Sequence, residues 1–212
     1  MALITFALAK GRLGNKIVKM LNDINICDVY IDDDTRKLVI YSQDNKYAFF
    51  LSKPSDVPTF VDYGIADIGV VGKDTILEEN RDITELLDLG FGKCRMCVAG
   101  PKSAKEILNS GKTIRVATKY PNIAKKYFEK TNRSVEIIKL NGSVELGPIV
   151  GLSDVIVDIV ESGKTLVENG LEVLEEIEQL SARLIVNNAS LKVKYEEINI
   201  ILDGLRKILE EK

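Results

Sequence analysis

The sequence predicts an α/β fold in two lobes with mainly parallel sheets and a cleft between the lobes. Three observations carry that expectation. Short apolar runs alternate with helically spaced stretches along the whole chain, the pattern of strands joined by helices. The alternation falls into two series that change near residue 92. No Pro/Gly/Ser-rich linker separates them, so the chain should cross on short strands, with residues 1–92 and 178–212 in lobe I and 93–177 in lobe II. A cleft between such lobes is the usual place for a ligand.

LITFALA (3–9) is an apolar run ending at KGRLGN, after which Leu13, Ile17, Leu21 and Ile24 keep helical spacing. That reads as strand, glycine-containing turn and helix. VYIDD and KLVIYS flank DDDTRK and predict a strand pair. YAFFLSK is a further strand, and SDVPTFVDYG is a helix opened by Ser55 or Asp56 with Pro58 in its first turn. ADIGVVG (66–72) predicts a buried strand, with Asp74 capping the helix DTILEEN.

KCRMCVAG (93–100) begins the second series. SAKEILNS is a helix, TIRVAT a strand, PNIAKKYFEKT a helix and VEIIKL a strand. A helix from Ser143, the strand DVIVDIV, and the loop and helix of ESGKTLVENG follow. LEVLEEI and ARLIVN are two more apolar runs, and the last 20 residues form an amphipathic helix.

Composition narrows the chemistry. With 29 basic against 32 acidic side chains spread along the chain, no basic face for duplex nucleic acid is expected. Lys10 and Arg12 break the apolar start too early for a signal peptide or membrane span. The three cysteines fit a reducing compartment, so the expectation is a cytoplasmic protein. Cys94 and Cys97 form one C-x-x-C but lack a second pair, and the reading preferred for them is a buried strand. There is no histidine at all. Ser-His-Asp and Cys-His catalysis are thereby excluded, along with the common zinc sites. Chemistry must run on carboxylates, Lys/Arg, backbone amides and a recruited Mg²⁺.

The motif DIVESGKTL (158–166) ends like a P-loop, G-x-x-x-x-G-K-[ST]. The position that demands the first glycine holds Asp158, whose carboxylate would face the phosphates. A second SGKT at Ser110–Thr113 leads into a strand, the wrong element order. A triphosphate P-loop is therefore set aside. What remains is a strand carrying Asp154 and Asp158, then Glu161, Ser162, Gly163, Lys164 and Thr165 at a turn and helix start. Turn amides and hydroxyls suit a phosphate, and carboxylates just upstream suit sugar hydroxyls or a Mg²⁺ carrying pyrophosphate. The alternative is a plain strand-loop-helix connection capped by Ser and Thr.

ELGPIVGLSDVIVDIVESGKTL (145–166) resembles the signature of the ATP phosphoribosyltransferase family, matching at Glu145, Gly151, Ser153, Asp158, Ser162, Gly163, Thr165 and Leu166. LAKGRL, KPSDVPTFVDYGIADIGVVGKD, CRMCVAGP, VATKYPNIAKKYF and SARLIVNNAS extend the likeness through the chain. The length resembles the family's short form. The resemblance implies a fold like type II periplasmic binding proteins and transfer of phosphoribosyl from phosphoribosyl pyrophosphate (PRPP) to N1 of ATP, the first step of histidine biosynthesis. It also implies Mg²⁺ carried by the substrates and a histidyl-tRNA synthetase-like regulatory subunit, together forming a hetero-octamer. PRPP is then expected on Asp154, Asp158 and Glu161 to Thr165, with lobe II as the PRPP lobe and lobe I as the ATP side. Lys10, Gly11, Arg12 and Lys53 are assigned to pyrophosphate or the ATP triphosphate, and Asp67 and Tyr120 to the ATP base or ribose. Many relatives carry Arg where this chain has Lys53, which replaces a bidentate phosphate grip with a point charge. The competing reading is a non-catalytic small-anion-binding protein of the same fold.

Overall fold

A computed structural model describes residues 3–31 and 36–210. The chain forms two compact units, Met1–Gly92 with Ser181–Lys212, and Lys93–Leu180. Both are α/β, but their sheets are mixed rather than mainly parallel.

In the first unit, β1 (Ile4–Ala9) leads into α1 (Arg12–Asp23), followed by β2 (Val39–Tyr41) and β3 (Tyr47–Ser52). A 3₁₀ turn (Pro54–Asp56) opens α2 (Val57–Asp62), and β4 (Ile68–Gly72), α3 (Lys73–Glu79) and β5 (Thr84–Asp88) follow. In the second unit the order is β6 (Cys94–Gly100), α4 (Ala104–Leu108), β7 (Ile114–Thr118), α5 (Pro121–Lys130) and β8 (Val135–Lys139). Then come α6 (Leu146–Ile149), β9 (Val155–Val160), α7 (Lys164–Glu168) and β10 (Glu172–Leu180). The chain returns to the first unit as β11 (Ala182–Val186), α8 (Asn188–Val193) and α9 (Tyr195–Glu210).

The first sheet has the order β2-β3-β1-β4-β11-β5 and the second β10-β6-β9-β7-β8. β3, β1 and β4 run parallel, as do β9, β7 and β8. The antiparallel pairings come from β2 and from the segments that carry the chain between units. β11 is antiparallel to both β4 and β5, and β6 to both β9 and β10. A strand that enters a unit and one that leaves it run in opposite senses, which is why crossing on strands makes the sheets mixed.

Strand pairing at residues 29–42 differs from expectation. Residues 29–31 carry no regular secondary structure, and 32–35 lie outside the described residues. β2 pairs with β3 instead. Asn22 accounts for the change: its Oδ1 accepts from the Val29 N–H at 3.3 Å and its Nδ2 donates to the Val29 carbonyl at 2.7 Å. One carboxamide thus supplies both bonds a neighbouring strand would give. Asp74 also differs, lying in the first turn of α3 while Gly72 takes the cap position.

The main core of the first unit lies between its sheet and the helices α1 and α9. Phe6 stacks on Phe49 with ring centroids 5.0 Å apart, beneath Ile17, Leu21, Ile198 and Leu205. On the opposite face α2 sits so close to β4 that a Cβ at Gly69 would meet Val61 at 2.7 Å and Val57 at 2.9 Å. That contact explains the glycine inside the ADIGVVG run. Cys27, Cys94 and Cys97 all carry thiols, and Cys97 is buried in β6, as the strand reading requires. Among the described residues no helix is long and apolar enough to cross a membrane.

Candidate active site

β9 organises the second unit's site, because Asp154 stands just before it and Asp158 lies within it. Asp158 lies near the carboxyl end, where the chain leaves the sheet through Glu161, Ser162 and Gly163 into α7. Gly163 turns the chain in the left-handed region, φ 74°, with Val160 Cγ1 3.7 Å from where a Cβ would stand. Glycine is thus needed for backbone conformation, and the space is open. Leu166, only 6% exposed, anchors α7 against Val144, Val160 and Leu171.

Glu145, Asp158, Glu161, Ser162, Gly163, Lys164, Thr165 and Leu166 all line one pocket of about 270 Å³. Glu145 reaches it from the residue preceding α6. Burial pushes the Asp158 carboxyl up to about 6, and the negative charge of Glu145 adds to the effect. The Ile159 backbone N–H and Lys119 act in the opposite sense. The loop's hydroxyls and turn amides give the pocket donors for a phosphate, and the carboxylates of Glu145, Asp158 and Glu161 give acceptors for sugar hydroxyls.

The twin motif at 110–113 isolates what the tetrapeptide itself encodes. Gly111 adopts φ 71°, close to the 74° of Gly163. Lys112 N–H donates to Ser110 Oγ at 3.3 Å, as Lys164 N–H does to Ser162 Oγ at 3.4 Å. SGKT therefore encodes a turn. Only the second copy combines that turn with a helix start and the carboxylates of Glu145 and Asp158.

Asp154 does not join the pocket. It stands just before β9, roughly 13 Å of strand from Asp158, and Arg115 occupies both its oxygens. The Arg115 backbone N–H donates to Oδ2 at 2.8 Å and Nη2 to Oδ1 at 2.8 Å. These bonds hold the Asp154 carboxyl below its usual range. Arg115 Nη1 also donates to the Gly151 carbonyl at 3.0 Å. The signature's Gly151 thus belongs to this structural clasp, whereas Asp158 lines the pocket.

Asp67 sits at the centre of a hydrogen-bond network in the first unit. It is 3% exposed, and its Oδ2 accepts from the Thr5 backbone N–H at 2.8 Å, Thr5 Oγ1 at 2.9 Å and Lys194 Nζ at 2.8 Å. Ser190 Oγ donates to Oδ1 at 2.7 Å. Burial opposes ionisation, but these donors overcome it and hold the carboxyl below its ordinary value. Asp67 ties β1 and β4 to the C-terminal helices. Tyr120, 8% exposed, enters α5 with its N–H donating to Thr118 Oγ1 at 2.8 Å.

Lys10, Gly11, Arg12 and Lys53 are all exposed in the first unit. Ala9 pairs with Ser52, and the Lys10 N–H donates to the Ser52 carbonyl at 3.1 Å. Both segments therefore leave the sheet together at the carboxyl ends of adjacent parallel strands, where α/β folds hold ligands. Sequence reasoning missed Lys119, the residue after β7. Its signal was its place at the same sheet end as the SGKT loop of β9.

The fold and the pocket have the make-up of an α/β protein that handles a phosphorylated sugar. The family model described as HisG, ATP phosphoribosyltransferase, matches residues 53–207. A curated relative from Lachnoclostridium phytofermentans, named ATP phosphoribosyltransferase, is 62% identical over 100% of this chain and 99% of its own length. The chain belongs to the ATP phosphoribosyltransferase family. Among solved structures, the ATP phosphoribosyl transferase (HisG:HisZ) complex from Thermotoga maritima matches with TM-score 0.83 and 36% identity, over 99% of this chain and 100% of the other. The VFT2 domain of Bordetella pertussis BvgS matches with TM-score 0.57 and 10% identity over 96% and 86%, a likeness of fold alone. The α/β, periplasmic-binding-protein-like fold class is borne out.

Proposed function

We propose that this enzyme transfers the phosphoribosyl group of PRPP to N1 of ATP, releasing pyrophosphate and forming phosphoribosyl-ATP, the first step of histidine biosynthesis. The observation that carries the reading is the convergence of Glu145 and Asp158 with the Glu161–Thr165 loop in one pocket. The 5-phosphate takes the amides and hydroxyls of the loop, and the two carboxylates take the ribose hydroxyls. As the bond from C1 to pyrophosphate breaks, positive charge grows on the ribose, and fixed carboxylates beside it lower the barrier. No protein nucleophile is needed, so a chain without histidine can do the chemistry by positioning and charge. With a carboxyl at about 6, Asp158 is mostly ionised at neutral pH and accepts hydrogen bonds there.

Among the described residues no three acidic or cysteine side chains converge on a metal site. Glu145 and Asp158 fit a Mg²⁺ that arrives on PRPP and keeps most of its ligands from substrate and water. Such an ion neutralises charge on the departing pyrophosphate. Lys10, Gly11, Arg12 and Lys53 are assigned to pyrophosphate or the triphosphate of ATP. A HisZ-type regulatory subunit resembling histidyl-tRNA synthetase is the inferred partner, in a hetero-octamer working in the cytoplasm.

The test is to combine the chain with that partner, ATP, PRPP and Mg²⁺ and follow phosphoribosyl-ATP by its ultraviolet absorbance. Thr165→Ala should weaken PRPP binding and leave ATP binding largely intact. Absence of product together with absence of PRPP binding by calorimetry would overturn the assignment.

A further inference from the structure

The pocket's charge balance raises a problem that one residue outside its lining resolves. Three acidic side chains, Glu145, Asp158 and Glu161, line it against a single lysine, Lys164. A phosphorylated sugar carrying a second anionic group would meet net repulsion beside the two carboxylates. Lys164 belongs to the loop that seats one phosphate, so within this unit a second anion gains from a further cation beside any Mg²⁺ it carries.

Strand register identifies it. β7 and β9 are parallel, with Val116 level with Val155, Ala117 with Ile156 and Thr118 with Val157. Extended one step past the end of β7, this register leads to Lys119 and Asp158, and Asp158 is itself level with Cys97 on the other side. Residues level on neighbouring strands point to the same face. Ala117, Ile156 and Cys97 all belong to the core cluster beneath α6 and α7. Lys119 follows Ala117 by two positions at the sheet end that carries Asp158, and its charge acts on that carboxyl. It is exposed, and among the described residues it makes no ion pair. Its ammonium lies 5.9 Å from the Tyr120 ring, and the buried Tyr120 together with the bond from Thr118 Oγ1 to the Val157 carbonyl at 2.6 Å keeps its backbone in place.

Resting on the phosphoribosyl-transfer reading, we propose that Lys119 binds the pyrophosphate of PRPP and stabilises it as it leaves C1. The loop holds the 5-phosphate at one end of the ribose, and Lys119 holds the second anion on the carboxylate side. In the step, the C1–oxygen bond breaks with its electron pair passing to pyrophosphate, whose growing charge Lys119 meets, while N1 of ATP bonds to C1.

Two probes separate this role from simple folding or general charge. In the chain with its regulatory partner, calorimetry with inorganic pyrophosphate and with ribose 5-phosphate is run on wild type, Lys119→Ala and Lys119→Arg. Lys112→Ala, in the other SGKT turn, serves as control. Lys119→Ala should weaken pyrophosphate about tenfold and leave ribose 5-phosphate unchanged, with Lys119→Arg restoring most of the loss. Its kcat should fall on the order of a hundredfold with the KM for ATP unchanged. Equal weakening of both probes, or unchanged pyrophosphate affinity, overturns the proposal. Failure of the wild type to make phosphoribosyl-ATP sinks the transfer reading instead, and the two failures are distinct.

Discussion

Glu145 and Asp158 line the same pocket, and burial, reinforced by the negative charge of Glu145, pushes Asp158 from 3.8 to about 6. A carboxyl raised in the folded state destabilises the fold once ionised. The penalty is absent where both states are protonated, below about pH 4, and complete above about pH 6. Asp158→Asn should therefore add about 1–3 kcal/mol of stability at pH 7 while abolishing transfer. Urea melts at pH 7 and pH 4 check this: the gain should vanish at the lower pH. A gain of equal size at both would mean the carboxyl titrates normally.

The two SGKT turns give an internal control for the loop. Gly111 and Gly163 share a left-handed conformation, and neither would place a new Cβ within 3.4 Å of another atom. Gly111→Ala and Gly163→Ala should each cost about 1–2 kcal/mol from backbone strain. Only Gly163→Ala should also weaken PRPP. Thermal melts paired with PRPP titrations of both variants make the comparison, and a parallel loss in Gly111→Ala would remove the loop from the site.

Asp67 should prove a stability residue. Asp67→Ala leaves the Thr5 donors without their acceptor and removes the ion pair of the half-buried Lys194, at a cost of about 1–3 kcal/mol. Because its carboxyl sits below the ordinary range, its contribution is present at neutral pH and is lost as pH falls through that depressed value. The gap between the denaturation midpoints of wild type and variant should be constant above about pH 4 and narrow as pH falls below it. The ATP KM of the folded enzyme should not change.

Gly147 and Ser153 form a coupled pair. A Cβ on Gly147 would stand 2.5 Å from Ser153 Oγ and 2.9 Å from Ala117 Cβ. Gly147→Ala should cost about 1–3 kcal/mol by overpacking. Ser153 Oγ is buried without a hydrogen-bond partner, so Ser153→Ala should be neutral or mildly stabilising. Ser153→Gly should recover part of the Gly147→Ala loss, which a double-mutant cycle measures.

The strands were legible because their apolar runs are bounded by glycines and helix starts, and the pocket because its residues lie within one 22-residue stretch. What the sequence hid was pairing at a distance. Nothing local distinguishes Asp158 from Asp154, whose partner Arg115 lies 39 positions away. Asp67 reads as an available carboxylate until Lys194, 127 positions on, reaches it. Asn22 could not be recognised as a substitute strand, since its partner Val29 looks like half of a hairpin. Lys119 became visible only through register, which periodicity along one strand does not reveal.

The place of β11 between β4 and β5 has a consequence for biosynthesis. The second unit is continuous from Lys93 to Leu180, whereas the first needs Ser181–Lys212 to close. On the ribosome, the half of the protein made first is the last that can finish folding. Until residue 186 emerges, β4 offers a bare edge to any passing strand, and prompt shielding of that edge governs how much of the nascent chain reaches the native state.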